Sequence, residues 1–146
     1  MKLLETEIII EAPAAKVWQV LTDFEKYPEW NPFIKEFDGE VKVGEKFKVN
    51  LHPPDSRPMT FHPRCLVLNE NREFRWLGHL FIKGIFDGEH VFELEELEVG
   101  RTRFIQKEYF RGILVPLMWN KVELGTRKGF IGMNQALKNR VEQITD

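Results

Sequence analysis

Residues 116–143 predict one long helix, and it follows an unbroken block of strand signals. Along that helix Gly125, Gly129, Gly132 and Ala136 recur at spacings of four, three and four, so they share one face. Each glycine inside a helix costs about 0.8–1.0 kcal/mol relative to alanine, so three of them weaken it by roughly 2–3 kcal/mol. Something must offset that loss. Close packing of the helix on a sheet does so, and so does a ligand held in the room the missing side chains leave. A membrane helix dimer is excluded, because Arg127 and Lys128 stand between Gly125 and Gly129.

The rest of the chain divides cleanly. Residues 5–11, with Ile8, Ile9 and Ile10 in succession, predict a first strand. Pro13 stops it and opens a helix in which Val17 and Leu21 are one turn apart. Thr22 and Asp23 offer a cap for a second short helix over 24–30, which ends before Pro32. From 34 to 111 the signals are strands: Phe47, Val49 and Leu51 alternating after a turn at Val43-Gly44-Glu45, then 59–68, 73–81, 89–98 and 102–111. Loops are expected at 53–56 and 84–88, and a turn at Gly100. Segregated strands and helices predict an α+β fold with an antiparallel sheet.

A length of 146 residues fits one domain, 1–146. Such a domain buries about 68–70% of its unfolded surface. The net charge of -2, with scattered basic residues, argues against nucleic acid as a partner. Cys65 is the only cysteine, so an intrachain disulfide is impossible and a reducing, cytoplasmic setting is expected. The first thirteen residues lack the apolar core of a signal peptide, and no apolar run approaches the roughly 18 residues of a membrane span.

Parity assigns the faces of the last hairpin. On 101–111 the odd positions Arg101, Arg103, Lys107 and Arg111 are basic; on 89–98 the odd positions Glu89, Glu93 and Glu95 are acidic. Both are solvated faces, and they suit each other as cross-strand pairs. Even positions therefore face inward on both strands. A turn near Val99 sets His90 opposite Glu108 and Phe92 opposite Gln106. His90, Gln106 and Glu108 thus lie among Phe92, Phe104 and Phe110. They form either a self-satisfied core network or the polar end of a ligand site. His90 and Glu108 are also the candidate catalytic pair, as general acid and base.

Aromatic residues supply the remaining candidates. Trp76 shares its face with Phe74 and Leu80, while Trp30, Phe33, Met118 and Trp119 lie at segment junctions where a pocket mouth would form. The ligand-binding set is completed by Gly125, Gly129 and Met133 from the long helix. No metal is expected, because His52, His62, His79, His90 and Cys65 show no metal-ligand spacing. There is no phosphate loop and no serine-hydrolase elbow.

Several stretches resemble the START-like, Bet v 1-like superfamily, in its polyketide cyclase/dehydrase and lipid-transport branch. They are Ile10 to Pro13 followed by Val17-Trp18, Asp23 with Tyr27 to Phe33, Phe86 to His90, Gly100-Arg101-Thr102, Phe110-Arg111-Gly112, and Met133-Asn134 with Ala136-Leu137-Lys138. The resemblance implies a helix-grip fold: a seven-stranded antiparallel sheet wrapped around the last helix, with a deep cavity between them. It implies a hydrophobic small-molecule ligand, such as a lipid, polyketide or quinone; no cofactor is expected. It carries over no catalytic residue.

Three functions follow from these readings. The first is binding or carriage of a hydrophobic small molecule. The second is a cofactor-free cyclase or dehydratase using His90 and Glu108. The third is a protein-interaction module. An open apolar cavity favours the first, a strongly shifted pKa at His90 or Glu108 the second, and a filled core with a large exposed apolar patch the third.

Overall fold

The computed structural model describes residues 1–144; Thr145 and Asp146, the end of the expected domain span, lie outside them. Strand β1 (Lys2–Ile10) leads into α1 (Ala14–Leu21), a 3-10 turn at Phe24–Lys26 and α2 (Tyr27–Trp30). Strands β2 (Ile34–Asp38), β3 (Lys48–Leu51), β4 (Met59–Phe61), β5 (Arg64–Asn69), β6 (Glu73–Leu80), β7 (Phe86–Glu98) and β8 (Arg101–Arg111) follow, and α3 (Val115–Gln143) closes the order. Pro116 sits in the first turn of α3, where its missing N–H has no helical partner to lose. Among the described residues no helix is long and apolar enough to cross a membrane.

This is an α+β, helix-grip-like arrangement, but its strands do not form one seven-stranded sheet. They form a five-stranded sheet, β1-β8-β7-β6-β5, and a three-stranded sheet, β2-β3-β4. The extra break falls inside the strand expected over 59–68. Pro63 cannot donate a ladder hydrogen bond, so β4 ends before it and pairs with β3, while β5 begins after it and pairs with β6. The sheets stay stitched through residues 44–47: Phe47 N donates to Pro63 O (3.0 Å), Gly44 N to Cys65 O (2.8 Å) and Cys65 N to Glu45 O (3.0 Å). Strand β7 also starts earlier than expected, taking Phe86 to Gly88 out of the presumed loop. Thr22 and Asp23 cap nothing with their side chains; Thr22 Oγ1 instead donates back to Trp18 O.

Strands β7 and β8 pair in the register that places His90 opposite Glu108 and Phe92 opposite Gln106. Their outer face is laced by Arg103–Glu95 (2.6 Å), Lys107–Glu93 (2.7 Å) and Arg111–Glu89 (3.5 Å). The second half of α3 lies on the inner face, burying Phe130, Met133, Leu137 and Val141. Its glycine stripe serves two purposes. A Cβ on Gly129 would come within 2.5 Å of the Phe33 ring, and one on Gly132 within 3.8 Å of Pro32 Cγ, so these two glycines admit the segment after α2. A Cβ on Gly125 would meet nothing within 4 Å.

The entry segment is fixed by Asn31. Its Oδ1 accepts from the backbone N–H groups of both Phe33 and Ile34, each at 2.9 Å. That side-chain-to-backbone turn is what asparagine does well, and it aims Phe33 at Gly129.

Candidate functional site

The first half of α3 borders a cavity of about 550 Å³. One wall is the inner face of the large sheet: Trp76, Gly78 and Leu80 from β6, Phe86, Gly88 and His90 from β7, Glu108 and Phe110 from β8. The small sheet adds Val49, Leu51, Met59 and Phe61, and α3 contributes Met118, Lys121, Val122, Gly125 and Thr126. Phe33, Pro63 and the loop with Pro53, Asp55, Ser56 and Arg57 complete it. The sheet wall is apolar except at His90 and Glu108; α3 adds the half-buried Thr126, and Asp55, Ser56, Arg57 and Lys121 are exposed.

His90 is buried, with Trp76, Phe92 and Phe130 rings 4.6, 4.5 and 4.9 Å from its own. Its Nε2 is 2.9 Å from Gln106 Oε1. Gln106 Nε2 donates to Asn134 Oδ1 (2.7 Å) and towards Phe130 O (3.4 Å). Asn134 Nδ2 donates to Thr6 Oγ1 (2.9 Å), which donates to Gln106 O (3.0 Å). On the cavity side, His90 Nδ1 stands 3.7 Å from Glu108 Oε1, beyond hydrogen-bond length. The Glu108 side chain keeps 16% of its surface exposed, and the cavity is what it meets.

Burial sets the electrostatics. It pushes the Glu108 carboxyl up to about 8 and the His90 imidazole down to about 3, against a smaller opposing effect of the hydrogen bond to Gln106. At neutral pH the pair is therefore a carboxylic acid beside a neutral imidazole, a donor and an acceptor without net charge. Among the described residues no group of three or more His, Cys, Asp or Glu could hold a metal ion.

Of the candidates named from sequence, Phe33, Trp76, His90, Glu108, Phe110, Met118 and Gly125 border the cavity. The others do not. Phe74, Phe92, Phe104 and Met133 are fully buried core, the three phenylalanines on the inward strand faces and Met133 on α3. Gln106 is sealed in the relay behind His90, and Gly129 is covered by Phe33. Trp119 packs on Phe110 (5.4 Å) away from the lining, and Trp30 borders a separate cleft of about 170 Å³ beside Arg140. Sequence reasoning missed Gly78 and Gly88, although inward-facing strand glycines signal a close approach. It also missed Thr6 and Asn134 as polar partners, and the whole contribution of β3, β4 and the loop at 53–57.

A family described as polyketide cyclase/dehydrase and lipid transport matches residues 1–142. The chain belongs to this family. Solved structures share the fold of this polyketide cyclase/dehydrase and lipid-transport member. A START superfamily protein from Mycobacterium smegmatis is 20% identical, with 98% of this chain and 99% of that one covered and a TM-score of 0.79. The Zhui aromatase/cyclase from Streptomyces sp. R1128 is 17% identical, with 97% and 94% covered and a TM-score of 0.77. Ara h 8.0201 is 18% identical, with 98% and 99% covered and a TM-score of 0.72. No curated protein matches this family member.

Proposed function

We propose that the chain binds or carries a hydrophobic small molecule, of the lipid, polyketide or quinone kind, in the cavity between the sheets and the first half of α3. The observation that carries this reading is a largely apolar space of about 550 Å³ whose sheet wall carries one polar station, His90 and Glu108. Ligand pockets of about 300–1,000 Å³ combine an apolar lining with a few convergent polar groups in this way. The test is native mass spectrometry of protein from its own host, joined to titration with an apolar fluorescent dye. A retained mass, or one dye per chain displaced by apolar compounds, is expected. A chain that retains nothing and takes up no dye would overturn the reading.

One observation favours a second reading, a cofactor-free cyclase or dehydratase. Glu108 is an acid with a pKa of about 8 beside the cavity, near the optimum for a general acid at neutral pH. His90, held near 3, is a weak base, so proton transfer would fall to Glu108. Turnover of a poly-β-keto substrate, abolished by Glu108→Gln with binding intact, would establish this reading; binding without turnover would remove it.

A further inference from the structure

The relay behind His90 fixes which ring nitrogen carries the proton. Its logic starts from backbone carbonyls, which only accept. Thr6 Oγ1 lies 3.0 Å from Gln106 O and therefore donates its proton there. It is left to accept, so the Asn134 group at 2.9 Å is the amide nitrogen. Asn134 Oδ1 then faces Gln106, whose amide nitrogen donates to it at 2.7 Å. Phe130 O, a second acceptor-only group at 3.4 Å, fixes the same orientation independently. Gln106 Oε1 must then face His90, and the nitrogen 2.9 Å from it, Nε2, carries the proton. A neutral imidazole has one N–H, so Nδ1 is a bare acceptor turned towards Glu108.

Glu108 is held in complementary fashion. Its carboxyl lies across Gly88, whose missing side chain leaves the space. Among the described residues its one polar contact is the 3.7 Å approach to Nδ1. That gap is too long for a hydrogen bond, so an acid proton and a ring lone pair beside the same cavity both lack a partner among the described residues. Burial keeps both groups uncharged at neutral pH.

Resting on the cavity-binding reading above, we infer that the ligand's polar end is a hydroxyl, of an alcohol, phenol or enol, seated against Glu108 and His90. Its oxygen accepts the proton of the Glu108 acid, and its own proton is donated to His90 Nδ1. An O–H is the neutral group that meets both needs with one atom. An ether or ketone accepts only, leaving Nδ1 unsatisfied. A carboxylate has no proton to give and brings a charge into an apolar wall made by Trp76, Phe110 and Met118. An ammonium requires Glu108 to ionise where burial opposes it.

Four probes of one shape test this at neutral pH: naphthylmethanol, its methyl ether, naphthylmethylammonium and naphthoate, titrated by fluorescence against the whole chain. The alcohol should bind about tenfold more tightly than each of the others, the worth of one satisfied buried hydrogen bond. In His90→Phe its advantage over the ether should vanish. Nitrogen NMR of the wild-type ring covers the case where that variant does not fold: Nε2 should be protonated and Nδ1 bare, with Nδ1 shifting when the alcohol is added and not with the ether. An alcohol no tighter than its ether overturns the hydroxyl inference while leaving the cavity reading intact. So does an ammonium that binds tightest, or a ring protonated on Nδ1. If none of the four binds and no apolar dye is taken up, the cavity reading itself falls.

Discussion

Glu108 on β8 lays its carboxyl across the bare backbone of Gly88 on β7: a Cβ there would overlap Oε2 and come within 3.3 Å of Cδ. Gly88→Ala should therefore displace the carboxyl, the movable end of a flexible side chain beside the cavity, at a cost at or below the low end of the roughly 1–3 kcal/mol usual for overpacking. Truncating Glu108 to alanine should relieve that strain. A double-mutant cycle by urea denaturation is expected to show a coupling of about 0.5–3 kcal/mol; strictly additive effects would refute the contact.

The same carboxyl gives stability a distinctive pH dependence. Glu108 binds its proton more tightly folded (about 8) than at the ordinary 4.5, so between those values stability falls as pH rises. His90 does the reverse: with its folded pKa near 3 against an ordinary 6.5, stability rises with pH across that interval. The two slopes oppose one another from about 4.5 to 6.5. Net loss is expected below that window from His90 and above it, up to about pH 8, from Glu108. Thermal melts of Glu108→Gln should lack the loss on the alkaline side, and an unchanged profile would count against the buried acid.

The glycines of α3 should part company under substitution. Gly129→Ala drives a methyl into the Phe33 ring and should destabilise by about 1–3 kcal/mol, less the gain in helix propensity. Gly125→Ala meets open space and should stabilise by up to about 0.8–1.0 kcal/mol. Gly125→Leu, reaching into the cavity, should reduce dye uptake with the fold intact. Equal stability of the two alanine variants would contradict this division.

Asn31 is expected to matter more than its position between two short elements suggests. Asn31→Ala leaves the N–H groups of Phe33 and Ile34 without their acceptor, a loss of about 1–3 kcal/mol for each buried donor left bare. Asn31→Asp keeps the Oδ1 that accepts from both N–H groups and removes an amide nitrogen that has no partner among the described residues. Its midpoint in denaturant should fall between wild type and the alanine variant.

The sequence by itself determined the element order except that it read β4 and β5 as one strand, and it determined the inward and outward faces of β7 and β8 and the meeting of His90 with Glu108, because strand parity is a local period and opposed charges lock the register. It also marked α3 as a helix that must lie against something closely. It did not determine the split at Pro63 as a change of sheet, because a missing N–H says where a ladder breaks and not which partner each half then finds. Nor could it divide the inward face into core and cavity. Phe92 and His90 have the same parity, and so do Phe104 and Glu108. Only the landing of α3's second half on Gln106, and of Phe33 on Gly129, decides which of them are sealed and which look into open space. Those are contacts between residues far apart in the chain, fixed by side-chain volume and by a hydrogen-bond relay with no local period to read.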